Sequence, residues 1–332
     1  MTDPRHLALA ESMLRTLFTF RRLAPDAPPC PPNLDCCMRA HLPRLLPTIA
    51  AEAPLLCVLP AFPAKSPSPR KVLGSLPDRA EEQALKYLQL LCDRLNAGYR
   101  PGVQVLICSD GRVFNDVVGI TDDAVAAYRT ELEAMIRRLG LSSLSVFSLD
   151  DALPGLPPVE MRATLERQYA DSLDRVRRRI TADSDGLRLF NGIHRFLIED
   201  RSGVEPERSR SWLRKDCKER AYRLIQLSSA WSRLLETRFP DALRLSIHPQ
   251  PPHAAKVGVL LFARPDDVWL TPWHAVALRF ADGYRLVHRH RAEALGAQLV
   301  YVGGHPSHFD MREDVASRRE PVRTGQAPGR VA

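Results

Sequence analysis

Val103-Gln104-Val105-Leu106-Ile107-Cys108-Ser109-Asp110-Gly111-Arg112 is the stretch that decides the fold. Its first six residues are mostly aliphatic and predict a buried strand that runs straight into a polar turn. The next segment reads as a helix. Thr121 is placed to cap it, and Asp122 and Asp123 favour its positive end. Val125, Tyr128, Leu132, Met135, Ile136 and Leu139 recur at helical spacing, Arg137 and Arg138 fill the last turn, and Gly140 stops it. Leu144 to Leu149 predicts the following strand, ending at Asp150-Asp151. Strand, loop, helix, strand is the order of a βαβ unit, so the expected class is α/β with a mainly parallel sheet flanked by helices.

Upstream, Leu55 to Leu59 is a short apolar run bounded by prolines and predicts a buried strand, followed by the loop Phe62-Pro63-Ala64-Lys65-Ser66. Residues 79–96 read as a helix with Ala84, Leu88 and Leu91 inward. Residues 1–23 read as helical, and the proline-rich 25–47 as a loop or linker. Downstream, Pro158 to Phe239 is mostly helical by its periodicity. Short strands are expected at Leu243 to Ile247, Val257 to Phe262, Trp273 to Phe280 and Leu299 to Val302. The expected organisation is therefore an N-terminal helix and linker over 1–50, an α/β catalytic domain over 51–310 with a helical insert near 158–239, and a disordered tail over 311–332.

The 332 residues are 45% hydrophobic and 26% charged, ordinary for a globular chain with a full core. No uncharged apolar run approaches the roughly 18 residues of a membrane span, and Met1 to Ala24 lacks the apolar centre of a secretory signal. Seven unevenly spaced cysteines do not form a disulfide framework, so cytoplasmic thiols are expected. Lys plus Arg is 47 against 39 Asp plus Glu, a net charge of +8 that favours anionic partners.

Three places carry chemistry. Ligands of open α/β sheets collect beyond the carboxyl ends of the strands. There Ser109, Asp110, Gly111 and Arg112 offer a hydroxyl, a carboxylate, a close backbone approach and a fixed cation. Lys65 follows the first strand in a proline-flanked loop, suited to a phosphate or a carbonyl. In Arg244-Leu245-Ser246-Ile247-His248-Pro249-Gln250, alternation puts Arg244, Ser246 and His248 on one strand face, a cation, a hydroxyl and an imidazole together. Lys256, Trp273 and His274 add a further cation, an aromatic wall and a second imidazole. Cys30, Cys36, Cys37 and His41 lie close together, but C-x5-C-C-x3-H is not a zinc spacing and reads as loop thiols. His308-Phe309-Asp310 has half of a non-haem iron triad, and no histidine follows to complete it. The chain has no G-x-G-x-x-G, Walker A, H-E-x-x-H or G-x-S-x-G motif. Arg175 to Arg179 and Arg208 to Arg223 are basic helical stretches, read mainly as solvated faces, with a nucleic-acid-binding protein as the competing class.

Several longer phrases are more specific. They are FPAKS at 62–66, KVLG at 71–74, LPD at 76–78, ICSDGRVFND at 107–116, CKERAYRLIQLSSAW at 217–231, RFPDALRLSIHPQ at 238–250, KVGVLLF at 256–262, WLTPWHAVAL at 269–278, AEALGAQLVY at 292–301 and PSHF at 306–309. With these phrases in this order, the chain resembles the isocyanide (isonitrile) synthase family, the pyoverdine/dityrosine biosynthesis proteins, over roughly residues 55 to 310.

The resemblance implies a Rossmann-like α/β core with an added helical part. It implies conversion of the α-amino group of tyrosine or tryptophan to an isonitrile, with the carbon taken from ribulose 5-phosphate. No metal and no organic cofactor are implied, and a separately encoded iron/2-oxoglutarate oxygenase acts next. On this reading His248 or His274 is the base, Asp110 holds the ammonium or shuttles a proton, and Lys65, Arg112, Arg244 and Lys256 cradle the phosphate. Ser66, Ser109, Ser246, Gln250 and Trp273 complete the substrate contacts. Another sugar-phosphate-dependent transferase or lyase is the alternative. Leu227 and Ser229 stand where the resemblance expects Arg and Asn, which points to a different amino acid or to lost activity.

Overall fold

The computed structural model describes residues 3–24, 35–263 and 270–311. Its elements, in chain order, are α1 (Pro4–Phe18), α2 (Asp35–Met38), α3 (Leu42–Ala50), β1 (Leu55–Pro60), α4 (Arg79–Asn96), β2 (Val103–Cys108), α5 (Gly111–Val118), α6 (Asp122–Arg138) and β3 (Leu144–Phe147). A helical stretch follows: α7 (Leu149–Ala152), α8 (Pro158–Tyr169), α9 (Leu173–Ala182), α10 (Ser184–Val204) and α11 (Arg210–Arg238). Then come β4 (Leu243–Ser246), β5 (Val257–Gly258), a 3-10 turn at Pro272–His274, β6 (Val276–Phe280), β7 (Gly283–Val287), α12 (Arg289–Ala294), β8 (Gln298–Val302) and β9 (His305–Asp310).

Five strands form one parallel sheet in the order β3-β2-β1-β4-β5. Both faces are covered, so the strands alternate between two apolar layers rather than between oil and water. Leu55, Cys57, Leu59, Val103, Val105 and Ile107 pack with α1, α4 and α6. Val58 and Cys108 face the other way, into a layer with Leu224, Leu227, Trp231 and Leu235 of α11. The order reverses at β1: the chain runs outward through β2 and β3, then returns to place β4 on the other side. The crevice beyond the carboxyl ends of β1 and β4 is therefore the switch point where such sheets bind ligands.

A second, four-stranded sheet has the order β7-β6-β9-β8. Ala275, Ala277 and Trp273 tie it to the main core.

The α/β class, the 79–96 helix and the helix opened by Thr121 stand as expected. Thr121 Oγ1 accepts the Ala124 N–H, and Gly140 is left-handed at φ 64°. Four expectations need correction. The 25–47 linker contains α2 and the start of α3, because Pro43 falls in α3's first turn, where a missing N–H costs nothing. The third strand stops at Phe147, not Leu149, because Ser148 and Asp151 form a reciprocal capping box that starts α7. Gly111 onward is helix α5 rather than loop. The apolar run after Gly258 leaves the parallel sheet, because residues 20–24 take its hydrogen bonds: Arg22 N–H donates to Gly258 O at 2.8 Å and Leu260 N–H to Phe20 O at 2.9 Å. A Cβ at Gly258 would lie 2.4 Å from Arg22 O, so glycine permits that approach. α1 buries Ala10, Met13, Leu14 and Leu17 in the main core. The expected tail after Met311 lies outside the described residues.

Candidate active site

The β1 loop is held from both sides. Ser109 Oγ donates to Phe62 O at 2.9 Å, and Ser66 N–H donates to Trp273 O at 2.8 Å. Phe62 takes a left-handed φ of 55°, strained for a non-glycine residue. A Cβ at Gly111 would lie 1.9 Å from Pro63 O, so the β2 turn reaches this loop only with glycine there. Ser109, Gly111 and Phe62 thus position the crevice.

Three titratable side chains are crowded by protein without being fully buried. Asp110 follows β2. Burial pushes its carboxyl up to about 7, and its Oδ1 has no hydrogen-bond partner among the described residues. His248 follows β4, where Ser246 Oγ accepts its backbone N–H at 3.1 Å. The surrounding protein, then the Lys256 ammonium, lower its imidazole to about 4. His274 ends the 3-10 turn. Its Nδ1 is 3.2 Å from Thr271 Oγ1 and its Nε2 is 3.7 Å from Asp200 Oδ2. Burial outweighs the Asp200 charge and lowers it to about 4 as well. Both imidazoles are therefore neutral at pH 7.

The expected cations divide. Lys65 is enclosed, with Asp78 Oδ2 at 2.9 Å, Glu81 Oε2 at 2.7 Å and Pro272 O at 3.1 Å. Two carboxylates and a carbonyl thus surround and neutralise its ammonium. Arg112 is nearly buried, donating to Asp122 O and Oδ1 and paired with Asp150. Both are engaged with protein oxygens. Arg244 is different. Its strand face would suit an aliphatic side chain like the neighbouring Val58, yet the guanidinium is 2% exposed. Its Nη2 is 3.2 Å from Ser232 Oγ and its Nη1 is 3.1 Å from Glu236, while Nε has no hydrogen-bond partner among the described residues. The Lys256 ammonium donates to the same Ser232 Oγ at 3.2 Å. Burial, and then repulsion from Arg244, lower the Lys256 pKa, and burial lowers that of Arg244. Two cations converging on one hydroxyl, with half-exposed Glu236 as the paired carboxylate, form a site that an anion would stabilise.

Of the remaining expected residues, Gln250 Nε2 folds back on Ser246 Oγ at 3.3 Å. Trp273 is 4% exposed and packs on Phe62, ring centres 5.2 Å apart, so it is a core residue rather than an open wall. Ser66 Oγ donates to Asp200 Oδ1 at 3.0 Å. Asp200, 2% exposed on α10, also pairs with Lys71 at 2.7 Å. Asp200, Lys71 and Ser232 escaped the sequence reading because nothing local separates them from surface helix residues. The motif KVLG did contain Lys71. Leu227 is buried against the sheet, and Ser229 Oγ bonds Ile225 O within its helix at 2.8 Å.

A cavity of about 340 Å³ adjoins the β1 loop, with Pro67, Pro69, Val72, Leu73 and Ile120 among its walls. The basic helices are ion-paired: Arg177 with Glu219, Arg175 and Arg179 with Asp171, and Arg220 with Asp216. His41 is buried against Phe18, away from a ligand role beside Cys36. No helix among the described residues is long and apolar enough to cross a membrane.

Residues 47–300 match the family model described as pyoverdine/dityrosine biosynthesis protein. The chain is 40% identical to the L-tryptophan isonitrile synthase AmbI2 of Fischerella ambigua, over 95% of each chain. It is 41% identical to an L-tyrosine isonitrile synthase of Pseudomonas aeruginosa, over 93% of this chain and 96% of that one. The crystal structure of PvcA from Pseudomonas aeruginosa superposes with a TM-score of 0.85 at 40% identity, over 91% of this chain and 99% of that one. The chain belongs to the pyoverdine/dityrosine biosynthesis family and, within it, to the isonitrile synthases.

Proposed function

We propose that this enzyme converts the α-amino group of an aromatic amino acid, tyrosine or tryptophan, into an isonitrile, with ribulose 5-phosphate as the carbon donor. The observation that carries the donor is the buried Arg244–Lys256 pair, which shares one hydroxyl and is short of negative charge. A phosphate dianion supplies that charge and enough oxygens for both side chains. The relatives named for L-tryptophan and L-tyrosine support the amine. The 340 Å³ cavity has the size and apolar walls for an aromatic side chain.

The amine must lose a proton before it attacks the ketone carbon, and the adduct must then lose water. A base works best when its pKa lies near the working pH. Asp110, at about 7, meets that condition. His248 and His274, at about 4, are neutral but weakly basic. Asp110 is therefore the better-matched base, and as a carboxylate it also holds the incoming ammonium. His248, beside Lys256, gains basicity when phosphate binds and offsets the ammonium charge, which suits it to the later proton transfers. Lys65 and Arg112 hold the loops that carry these groups. The product passes to a separately encoded iron/2-oxoglutarate oxygenase, and the enzyme works in the cytoplasm without metal or organic cofactor in the reaction.

The test is mass spectrometry after incubation with ribulose 5-phosphate carrying carbon-13 at its ketone carbon, with tyrosine, tryptophan and a panel of other amines. A labelled isonitrile from an aromatic amino acid is the expected product. An unlabelled isonitrile would overturn the donor, and labelled product from a non-aromatic amine alone would overturn the substrate class.

A further inference from the structure

The chain holds a cluster of soft ligands outside the crevice. Cys36 and Cys37, on α2, and His253, in the loop between β4 and β5, place their sulfur atoms and a ring nitrogen within 4.8 Å of one another. More than two hundred residues separate the two segments, so the fold, not the local sequence, makes this meeting. We propose that Cys36, Cys37 and His253 bind a divalent transition ion of the zinc class that clasps α2 to the β4–β5 loop.

Three features carry the assignment. The donor set is two thiols and an imidazole, which selects zinc-like ions over magnesium or calcium. Ligands of a tetrahedral zinc, at about 2.0–2.3 Å from the metal, stand roughly 3.5–3.8 Å from each other, so an inward shift of about 1 Å completes the shell. His253 Nδ1 lies 3.2 Å from Cys36 O. A carbonyl only accepts, so Nδ1 carries the proton and Nε2 carries the lone pair an ion needs. A backbone carbonyl that fixes the tautomer in this way is the usual outer partner of a metal-bound histidine.

The rest of the loop fits a clasp. His253 holds a left-handed φ of 62°, uncommon for a side-chain-bearing residue. Cys37 is 1% exposed and His253 is exposed, so the ion has a buried anchor and an open side for water as a fourth ligand. Binding displaces two thiol protons to solvent and leaves a neutral dithiolate–zinc–imidazole unit. The same loop carries His248 and Gln250, and the N-terminal segment already grips it: Gln250 N–H donates to Arg22 O at 3.2 Å, and Ala24 N–H to Gln250 O at 3.0 Å. The ion adds a second fastening to that contact.

Cobalt(II) is the probe, because thiolate ligation gives it an intense near-ultraviolet charge-transfer band and tetrahedral geometry gives it strong visible bands. The full-length protein is stripped with chelator under reducing, oxygen-free conditions and titrated with cobalt, then with zinc. The expected result is one cobalt per chain with both band systems, which zinc abolishes. Removing an outer partner of a metal ligand costs about 10–100-fold in affinity, so His253→Ala, a solvent-exposed change, is expected to cost at least about 100-fold. Cys36→Ser/Cys37→Ser removes the charge-transfer band, with circular dichroism checking that both variants fold. A wild-type protein without the band overturns the proposal. So does an unchanged cobalt affinity in His253→Ala, or a charge-transfer band of unchanged strength in Cys36→Ser/Cys37→Ser.

Discussion

Two buried cations, Lys65 and Arg244, follow from the same chain and play opposite parts. Lys65 meets two carboxylates and a carbonyl within 3.1 Å, and those charges outweigh burial to raise its pKa. Arg244 shares one serine hydroxyl with Lys256 and has Glu236 at the surface, and burial lowers both pKa values. A neutralised buried cation is architecture: it locks the loop after β1 to α4 and to the 3-10 turn. A buried cation left short of charge is held at a cost in stability, and a ligand of opposite sign recovers that cost. Residue type and burial are alike in the two places. The partners decide which one binds a substrate.

That contrast breaks most sharply at Lys65. Lys65→Met leaves Asp78 and Glu81 facing each other in the core, and is expected to cost about 3–5 kcal/mol, read from the denaturation midpoint. If it melts like wild type, the cluster is not structural. Lys256→Met is the converse. It should leave stability nearly unchanged or improved, while kcat/KM for ribulose 5-phosphate falls about 10–100-fold, the loss expected for one charged hydrogen bond. A fall in kcat/KM for the amino acid alone would move the phosphate elsewhere.

Asp110 gives a pH signature. Its folded pKa, about 7, lies above the ordinary 3.8, so between these values the native chain keeps a proton that the unfolded chain has lost. Its contribution to stability is therefore present in acid and is lost as pH rises toward 7. Asp110→Asn should remove that slope, measured by denaturant titration from acid to neutral pH, and abolish turnover. His248 and His274 act with the opposite sign. Their lowered pKa values cost stability as pH falls from 6.5 toward 4, and His274→Asn should lessen that loss. The smallest effect belongs to Tyr128→Phe, which removes the phenol that donates to Glu81 Oε1 at 3.1 Å. It should cost about 1 kcal/mol and leave kcat unchanged.

The sequence by itself determined what depends on near neighbours. The short, mostly apolar runs of Leu55–Leu59 and Val103–Ile107, the Thr121 cap, the apolar stripe of α6 and the Gly140 stop are read within a few residues, and all appear in the structure. The strand-end rule drew attention to Asp110, and alternation along 244–250 to His248. The motif resemblance named the family, because many short phrases in order are more specific than any one spacing.

Tertiary structure alone decided the partners. That Lys65 meets Asp78 and Glu81, that Arg112 is spent on Asp122 and Asp150, and that Asp200 of α10 reaches Ser66 and Lys71 depends on how strands are ordered and helices laid across them. The cysteine pair shows the limit most plainly. His41, four residues along the chain, turns into the core against Phe18, while His253 is carried to Cys36 and Cys37 by the return of β4 beside the N-terminal segment. Hydrophobic periodicity is a short-range signal. Charge pairing and ligand sets are settled by contacts between distant segments, which form only when the apolar layers have set the order of the sheet.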